Sequence, residues 1–93
     1  MRVLVVEDND LVADAITMGL GAAGFAVDRS ASAEAASTAL AAEHFDLLVV
    51  DVGLPGEDGL ALVRRLRSRG STKPVLILTA RDTLAIKLSL IHI

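Results

Sequence analysis

Two apolar runs in the sequence each end on acidic residues. Residues 3–6 lead into the pair Glu7 and Asp8, and residues 47–50 lead into Asp51. If both runs are strands of one parallel sheet, their carboxyl ends meet at the same edge and the three carboxylates converge on one shallow crevice. Such oxygen ligands suit Mg²⁺, and a carboxylate can itself act as a nucleophile and form an acyl phosphate. The pattern therefore indicates a magnesium site beside a phosphate-accepting aspartate.

The composition bounds the class of protein. The chain has 93 residues, 53% of them hydrophobic, which is enough for one domain with a modest core and too apolar for a disordered chain. No apolar stretch reaches the roughly 20 residues that span a bilayer, and acids arrive too early for a signal peptide. The absence of cysteine excludes disulfides and thiolate metal sites. We expect a cytoplasmic domain without membrane contact, and the net charge of −3 argues against nonspecific nucleic-acid binding.

Helical patterns alternate with the apolar runs. Asn9 or Asp10 can cap a first helix, in which Met18 is interpreted as core filling. The apolar residues at helical spacing in this helix are Leu11, Ala15, Ile16, Met18 and Leu20. Further along, the patterns predict a strand at 25–27, a helix from Ser30 or Ser32 to about 43, a strand at 45–50, a helix at 58–69 and a strand at 74–78. The last helix carries Arg64, Arg65, Arg67 and Arg69. They are interpreted as a solvated face, with a docking surface for a partner as the alternative and DNA contact as a more remote one. This succession favours right-handed βαβ crossovers in an α/β fold with a doubly wound parallel sheet.

Three motifs resemble the receiver domain of two-component response regulators, in particular the OmpR-like branch. They are the acidic pair after residues 3–6, the segment from Asp51 to Gly59, and residues 74–81 (Pro-Val-Leu-Ile-Leu-Thr-Ala-Arg). They stand at the family's relative spacing, and the resemblance covers residues 1–85. It implies a flavodoxin-like fold, in which Gly59 would be a backbone turn position.

The resemblance also implies roles for individual residues. Asp51 would be the phospho-acceptor, and Glu7 and Asp8 would organise Mg²⁺ together with Asp51 and the carbonyl of Gly53. Thr79 would supply the switch hydroxyl. A sensor histidine kinase would donate the phosphoryl group, and the signal would pass to an attached DNA-binding output domain that controls transcription.

After Ala85 the sequence departs from the family pattern. Residues 86–93 are interpreted as a non-native tail, since the last six resemble a translated sequencing adapter. The segment from Thr79 to Lys87 is too short for a parallel crossover, which takes about a dozen residues or more. We therefore expect strand order 2-1-3-4, with the fifth strand and fifth helix missing and the fourth strand an exposed edge. Lys73 precedes the fourth strand, at the opposite end of the sheet, and Lys87 lies in the suspected tail, so we expect the family's phosphate-pairing lysine to be absent. DNA would be reached only through a missing output domain.

Two other functions are weighed against phosphoryl acceptance. The missing lysine and final strand favour a non-phosphorylatable interaction module or an inactive fragment of a regulator. A phosphatase with an aspartyl nucleophile is more remote. Such enzymes typically carry an Asp-x-Asp motif, whereas this chain has Asp51-Val52-Gly53 and lacks the second acid, which would protonate the leaving group. For association, we expect a monomer or an ill-defined aggregate, since most of the family's dimer face is missing.

Overall fold

Five strands and three helices make up the part of the chain that the structure describes. The structure is a computed structural model and describes residues 1–52, 59–82 and 85–91, with residues 79–82 and 85–91 through their backbone. The elements, in chain order, are β1 (Arg2–Val6), α1 (Asp10–Ala22), β2 (Ala26–Ser30), α2 (Ala33–Ala42), β3 (Leu47–Asp51), α3 (Gly59–Ser68), β4 (Val75–Asp82) and β5 (Ala85–Ile91). Among the described helices, none has the length and apolar character needed to cross a membrane.

The first four strands form a parallel sheet in the order β2-β1-β3-β4. This confirms the predicted doubly wound α/β fold and the strand order 2-1-3-4. Asn9 caps α1, because its side chain accepts a hydrogen bond from the N–H of Val12, and Ser32 caps α2 in the same way through the N–H of Ala35. Of the two starting points left open for each helix, the structure therefore selects Asn9 and Ser32.

The outer edge of β4 differs from the sequence-based expectation. β5 pairs with β4 in an antiparallel arrangement, with Asp82 opposite Ala85 and Val75 opposite Ile91. The expectation that β4 would be an unpaired edge was therefore wrong. The length argument excluded only a parallel crossover, whereas a hairpin needs no more than a tight turn. No parallel fifth strand occurs within the described ranges, and the non-native origin of residues 86–93 stays a prediction.

The core lies on both faces of the sheet, because successive strand residues point to opposite sides. On one face, Leu4 and Val50 pack with Phe45 against residues of α2 and α3, among them Ala36 and Leu62. On the other face, a smaller cluster is covered in part by α1. Its residues are Val3, Val5, Val49 and Leu78, with Ile16 and Leu20 of α1 packed against it. The helices thus cover the sheet from both sides.

Helix α1 faces the sheet with only part of the apolar set that helical spacing indicated. Met18 is 75% exposed and Leu11 is 81% exposed, so the interpretation of Met18 as core filling was wrong. Ala13 is buried, and Ile16 and Leu20 pack on the sheet. The helix carries two apolar stripes, and periodicity by itself does not decide which of them is covered.

Three arginines lie in α3 and a fourth, Arg69, directly follows it, and these four residues divide into two pairs. Arg64 and Arg69 are exposed, as a solvated face requires. Arg65 is half-buried and donates a hydrogen bond to the Ser37 hydroxyl of α2, and Arg67 donates to the carbonyl of Ser71 over 3.1 Å. Half of the predicted solvated face is therefore used for packing inside the domain.

Candidate functional site: an acidic cluster at the sheet edge

The register of the sheet brings the acidic residues together. Val6 of β1 pairs with Val50 of β3, so the next residues along the two strands, Glu7 and Asp51, leave the sheet side by side. The N–H of Glu7 still donates to the carbonyl of Ser30 over 3.0 Å, which extends the β1–β2 pairing by one residue. The strand register thus brings Glu7 and Asp51 together at this edge, as the sequence predicted.

The three carboxylates form one cluster. One oxygen from each of Glu7, Asp8 and Asp51 can be chosen so that all three lie within 4.8 Å of one another. Glu7 is 4% exposed, Asp51 is half-buried and Asp8 is exposed, so the cluster opens to solvent on the side of Asp8. Hard carboxylate oxygens at this separation match the donor set that Mg²⁺ takes in proteins. The residues present therefore fit the predicted cation.

The environment of Glu7 favours its neutral form. Burial is the main cause and raises the pKa of Glu7 to about 7. The side-chain hydrogen bonds with Asp51 and Asp8, in which the neutral Glu7 carboxyl group is the donor, and the negative charge of Asp51 push in the same direction. The N–H of Asn9 opposes this, because it donates to the Glu7 carboxylate over 3.2 Å. A divalent cation bound among these carboxylates would reduce the repulsion between them.

Arg29 and Ser30 of β2 also contact this site, although the sequence did not single them out for it. The guanidinium of Arg29 donates two hydrogen bonds to the carbonyl of Glu7, from Nε over 2.9 Å and from Nη2 over 2.8 Å. Its Nη1 donates to Asp10 Oδ1 over 2.9 Å. A single arginine in a short strand carries no spacing signal. Only the parallel register, which pairs Arg29 with Val5, places it beside the end of β1.

The remaining predicted residues are Thr79, Gly53 and Lys73, and they differ in where they lie relative to the acidic cluster. The backbone of Thr79 lies in β4, one residue beyond Leu78, which pairs with Asp51. Gly53 lies outside the described residues. Lys73 is at the opposite edge, as predicted, where its ammonium group donates to the carbonyl of Phe45.

Comparison with known protein sequences identifies a family and two similar regulators. The family model for the response regulator receiver domain matches residues 3–93. The chain is 44% identical over 89 residues to the transcriptional regulatory protein BasR of Escherichia coli K12, covering 96% of this chain and 40% of that protein. It is 47% identical over 85 residues to the response regulator protein PmrA of Pseudomonas aeruginosa, covering 91% of this chain and 38% of that protein. The chain thus spans about two fifths of the length of these relatives.

The fold is also that of solved receiver structures. The response regulator TrrA of Thermotoga maritima, solved in complex with Mg²⁺-BeF, superposes with a TM-score of 0.83 at 26% identity, over 88% of this chain and 71% of that chain. Fold, acidic cluster and sequence similarity agree. The chain belongs to the receiver-domain family of two-component response regulators, in the OmpR-like branch.

Proposed function

We propose that Asp51 accepts a phosphoryl group from a sensor histidine kinase, and that Glu7, Asp8 and Asp51, with the carbonyl of Gly53, hold Mg²⁺ beside it. The observation that carries this proposal is the cluster of three carboxylates within 4.8 Å at the edge where β1 and β3 end. Membership of the receiver family supports it, because the family model matches residues 3–93, which include all three acids.

The reaction requires an accessible nucleophile at the edge. A carboxylate oxygen of Asp51 attacks the phosphorus of a phosphohistidine, the P–O bond forms as the P–N bond breaks, and the departing imidazole takes a proton from solvent. Asp51 is half-buried at the end of β3, so an oxygen can face the donor while its backbone stays in the sheet. The main electrostatic obstacle is repulsion between the phosphoryl oxygens and the three carboxylates. A bound Mg²⁺ would offset that repulsion and stabilise charge on the transferred group.

Glu7 would couple cation binding to proton release. Its pKa of about 7 means that a substantial fraction of the carboxyl group is protonated near neutral pH. A metal ligand must be in the carboxylate form, so Glu7 gives up its proton when the cation binds. Cation affinity would therefore rise with pH through this range.

The wider role follows from the family. The chain would be a phospho-acceptor that takes part in its own phosphoryl transfer, and not an enzyme that turns over a substrate. The Thr79 hydroxyl would bind the new phosphoryl oxygen, and the change would pass to a DNA-binding output domain in the cytoplasm. The chain by itself would be a monomer or associate without a defined stoichiometry.

Phosphorylation by a small donor tests the proposal without requiring the cognate kinase. The chain is incubated with phosphoramidate and Mg²⁺, and the product is measured by intact mass and by its lability to hydroxylamine, which cleaves acyl phosphates. We expect a labile phosphoryl group on the natural chain and none on Asp51→Asn. Asp14→Asn is the matched control, because Asp14 is an exposed carboxylate on α1 that does not belong to the cluster, and it should be labelled like the natural chain.

The second candidate is an interaction module that is not phosphorylated. The observation that favours it is the position of Lys73, whose ammonium group is engaged at the edge opposite the acidic cluster. A folded chain that binds Mg²⁺ but takes no label from phosphoramidate would support this alternative and overturn the first.

A further inference from the structure

We infer that Arg29 is a positioning residue for the acidic cluster: it fixes the peptide of Glu7 and thereby sets how tightly Glu7 and Asp8 hold a divalent cation. The inference rests on the proposed function, since it assumes that the cluster binds Mg²⁺. The hydrogen bonds of Arg29 go to the carbonyl of Glu7 and to Asp10, so Arg29 would not itself be a ligand of the cation. It acts through the backbone that carries two of the ligands.

The first step is the restraint on the Glu7 peptide. Its N–H donates to the carbonyl of Ser30 over 3.0 Å, and its carbonyl accepts two bonds from the Arg29 guanidinium, at 2.9 Å and 2.8 Å. Hydrogen bonds from a charged donor are stronger than neutral ones, and two of them from one planar group fix direction as well as distance. Both partners come from β2, so this strand holds the Glu7 residue from both ends.

The second step is the turn that follows. Arg29 Nη1 also donates to Asp10 at the start of α1, so one guanidinium joins the end of β1 to the beginning of the next helix. Asp8 lies between these two anchored points, and the Asn9 N–H donates to the Glu7 carboxylate over 3.2 Å. The Arg29 side chain, which is 27% exposed, therefore restrains both ends of the short segment that carries Glu7 and Asp8.

The third step separates positioning from simple charge. A positive charge near the cluster repels a cation, so removing Arg29 should tighten Mg²⁺ binding if charge were its only effect. Positioning predicts the opposite sign, because a loosened Glu7–Asp8 segment must be ordered again when the cation binds. The direction of the change thus decides between the two effects.

The experiment compares Mg²⁺ affinity among three variants of the chain, by amide NMR titration, with the free energy of unfolding measured in urea for each. Arg29→Gln removes the charged donors, and Arg29→Lys keeps the charge but not the planar fork. Arg2→Gln is the control, because Arg2 also makes ion pairs, to Asp28 and Glu43, but lies at the other end of β1. Magnesium alone is the probe.

The expected result is a dissociation constant for Mg²⁺ raised about tenfold in Arg29→Gln, in the range found for groups that orient metal ligands. We expect an intermediate loss in Arg29→Lys, and a change of less than about twofold in Arg2→Gln, whose partners do not hold metal ligands. If Arg29→Gln does not fold, Arg29→Lys decides alone, since charge by itself predicts no change for it.

Three outcomes would overturn the inference in different ways. Unchanged or tighter binding in Arg29→Gln rejects positioning and leaves the proposed function standing. An equal loss in Arg2→Gln at equal stability assigns Arg29 to general support of the fold. Failure of the natural chain to bind Mg²⁺ rejects the proposed function itself, and the inference with it.

Discussion

The α-carbon of Gly59 lies against the backbone carbonyl of Asp51. A methyl group on residue 59 would come within 2.2 Å of that oxygen and 2.7 Å of Cγ1 of Val50. Gly59 is the first residue of α3, so the close contact brings the start of this helix against the end of β3. The sequence resemblance gave Gly59 a turn role, whereas in the structure the requirement for glycine comes from lack of space.

Gly59→Ala should therefore destabilise the domain. Because the methyl group can be accommodated only if α3 or β3 shifts, we expect a loss of about 1–3 kcal/mol in the free energy of unfolding. Urea denaturation followed by far-UV circular dichroism measures it. Gly19→Ala in α1 is the control, since nothing lies within 4 Å of its added carbon, and it should gain roughly 0.5–1 kcal/mol from helix propensity. Equal effects at the two positions would contradict the steric argument.

Stability without metal should fall as pH rises, because of Glu7. The pKa of this group is raised from 4.5 to about 7 on folding, so the folded state binds the proton more tightly than the unfolded state. The contribution is fully present below pH 4.5 and is lost as pH rises to about 7. We expect a loss on the order of 1–3 kcal/mol across this window. Urea unfolding at a series of pH values checks it, and Glu7→Gln should flatten the profile in this window.

Asp51→Asn should lower the pKa of Glu7 only in part. The hydrogen bond and charge of Asp51 raise this pKa, but burial is the larger cause and remains in the variant. Carbon-13 NMR titration of the Glu7 carboxyl group in metal-free buffer measures the change. Asp14→Asn should leave the titration where it is, and a full return of Glu7 to its ordinary pKa would show that burial had been assigned too much weight.

Truncation of apolar side chains should distinguish a buried position from an exposed one. Leu62→Ala removes a fully buried side chain from the larger core cluster and should cost about 2–5 kcal/mol. Met18→Ala removes an equally large but exposed side chain from α1 and should change stability by no more than about 0.5 kcal/mol. Similar losses at both positions would mean that α1 packs on the sheet through its Met18 side.

The sequence was sufficient to predict the four parallel strands and the acids at the ends of β1 and β3. Short apolar runs without polar alternation mark buried parallel strands, and the residue after such a run must lie at the carboxyl edge of the sheet. This rule places Glu7, Asp8 and Asp51 without knowledge of any contact between them. It also places Lys73, which precedes β4, at the far edge.

What the sequence did not predict depends on choices between near-equal alternatives. Met18 and Ile16 both recur at helical spacing, and only docking on the sheet decides that Ile16 is covered. The contact of Arg29 with Glu7 joins residues of two strands and follows from register, which is a property of the assembled sheet. The antiparallel pairing of β5 did not follow from the length limit on parallel crossovers, because two antiparallel strands can be joined by a much shorter connection.

The position of β2 has a consequence for motion at the acidic edge. β2 is the outermost strand on its side of the sheet, and edge segments open locally at lower free energy than central strands. Such an opening would release the N–H of Glu7 from Ser30 and its carbonyl from Arg29 in one event. Because a ligand stabilises the state that binds it, a cation on Glu7 and Asp8 would slow hydrogen exchange of the β2 amides. Protection of this edge strand would then report occupancy of the carboxylate cluster.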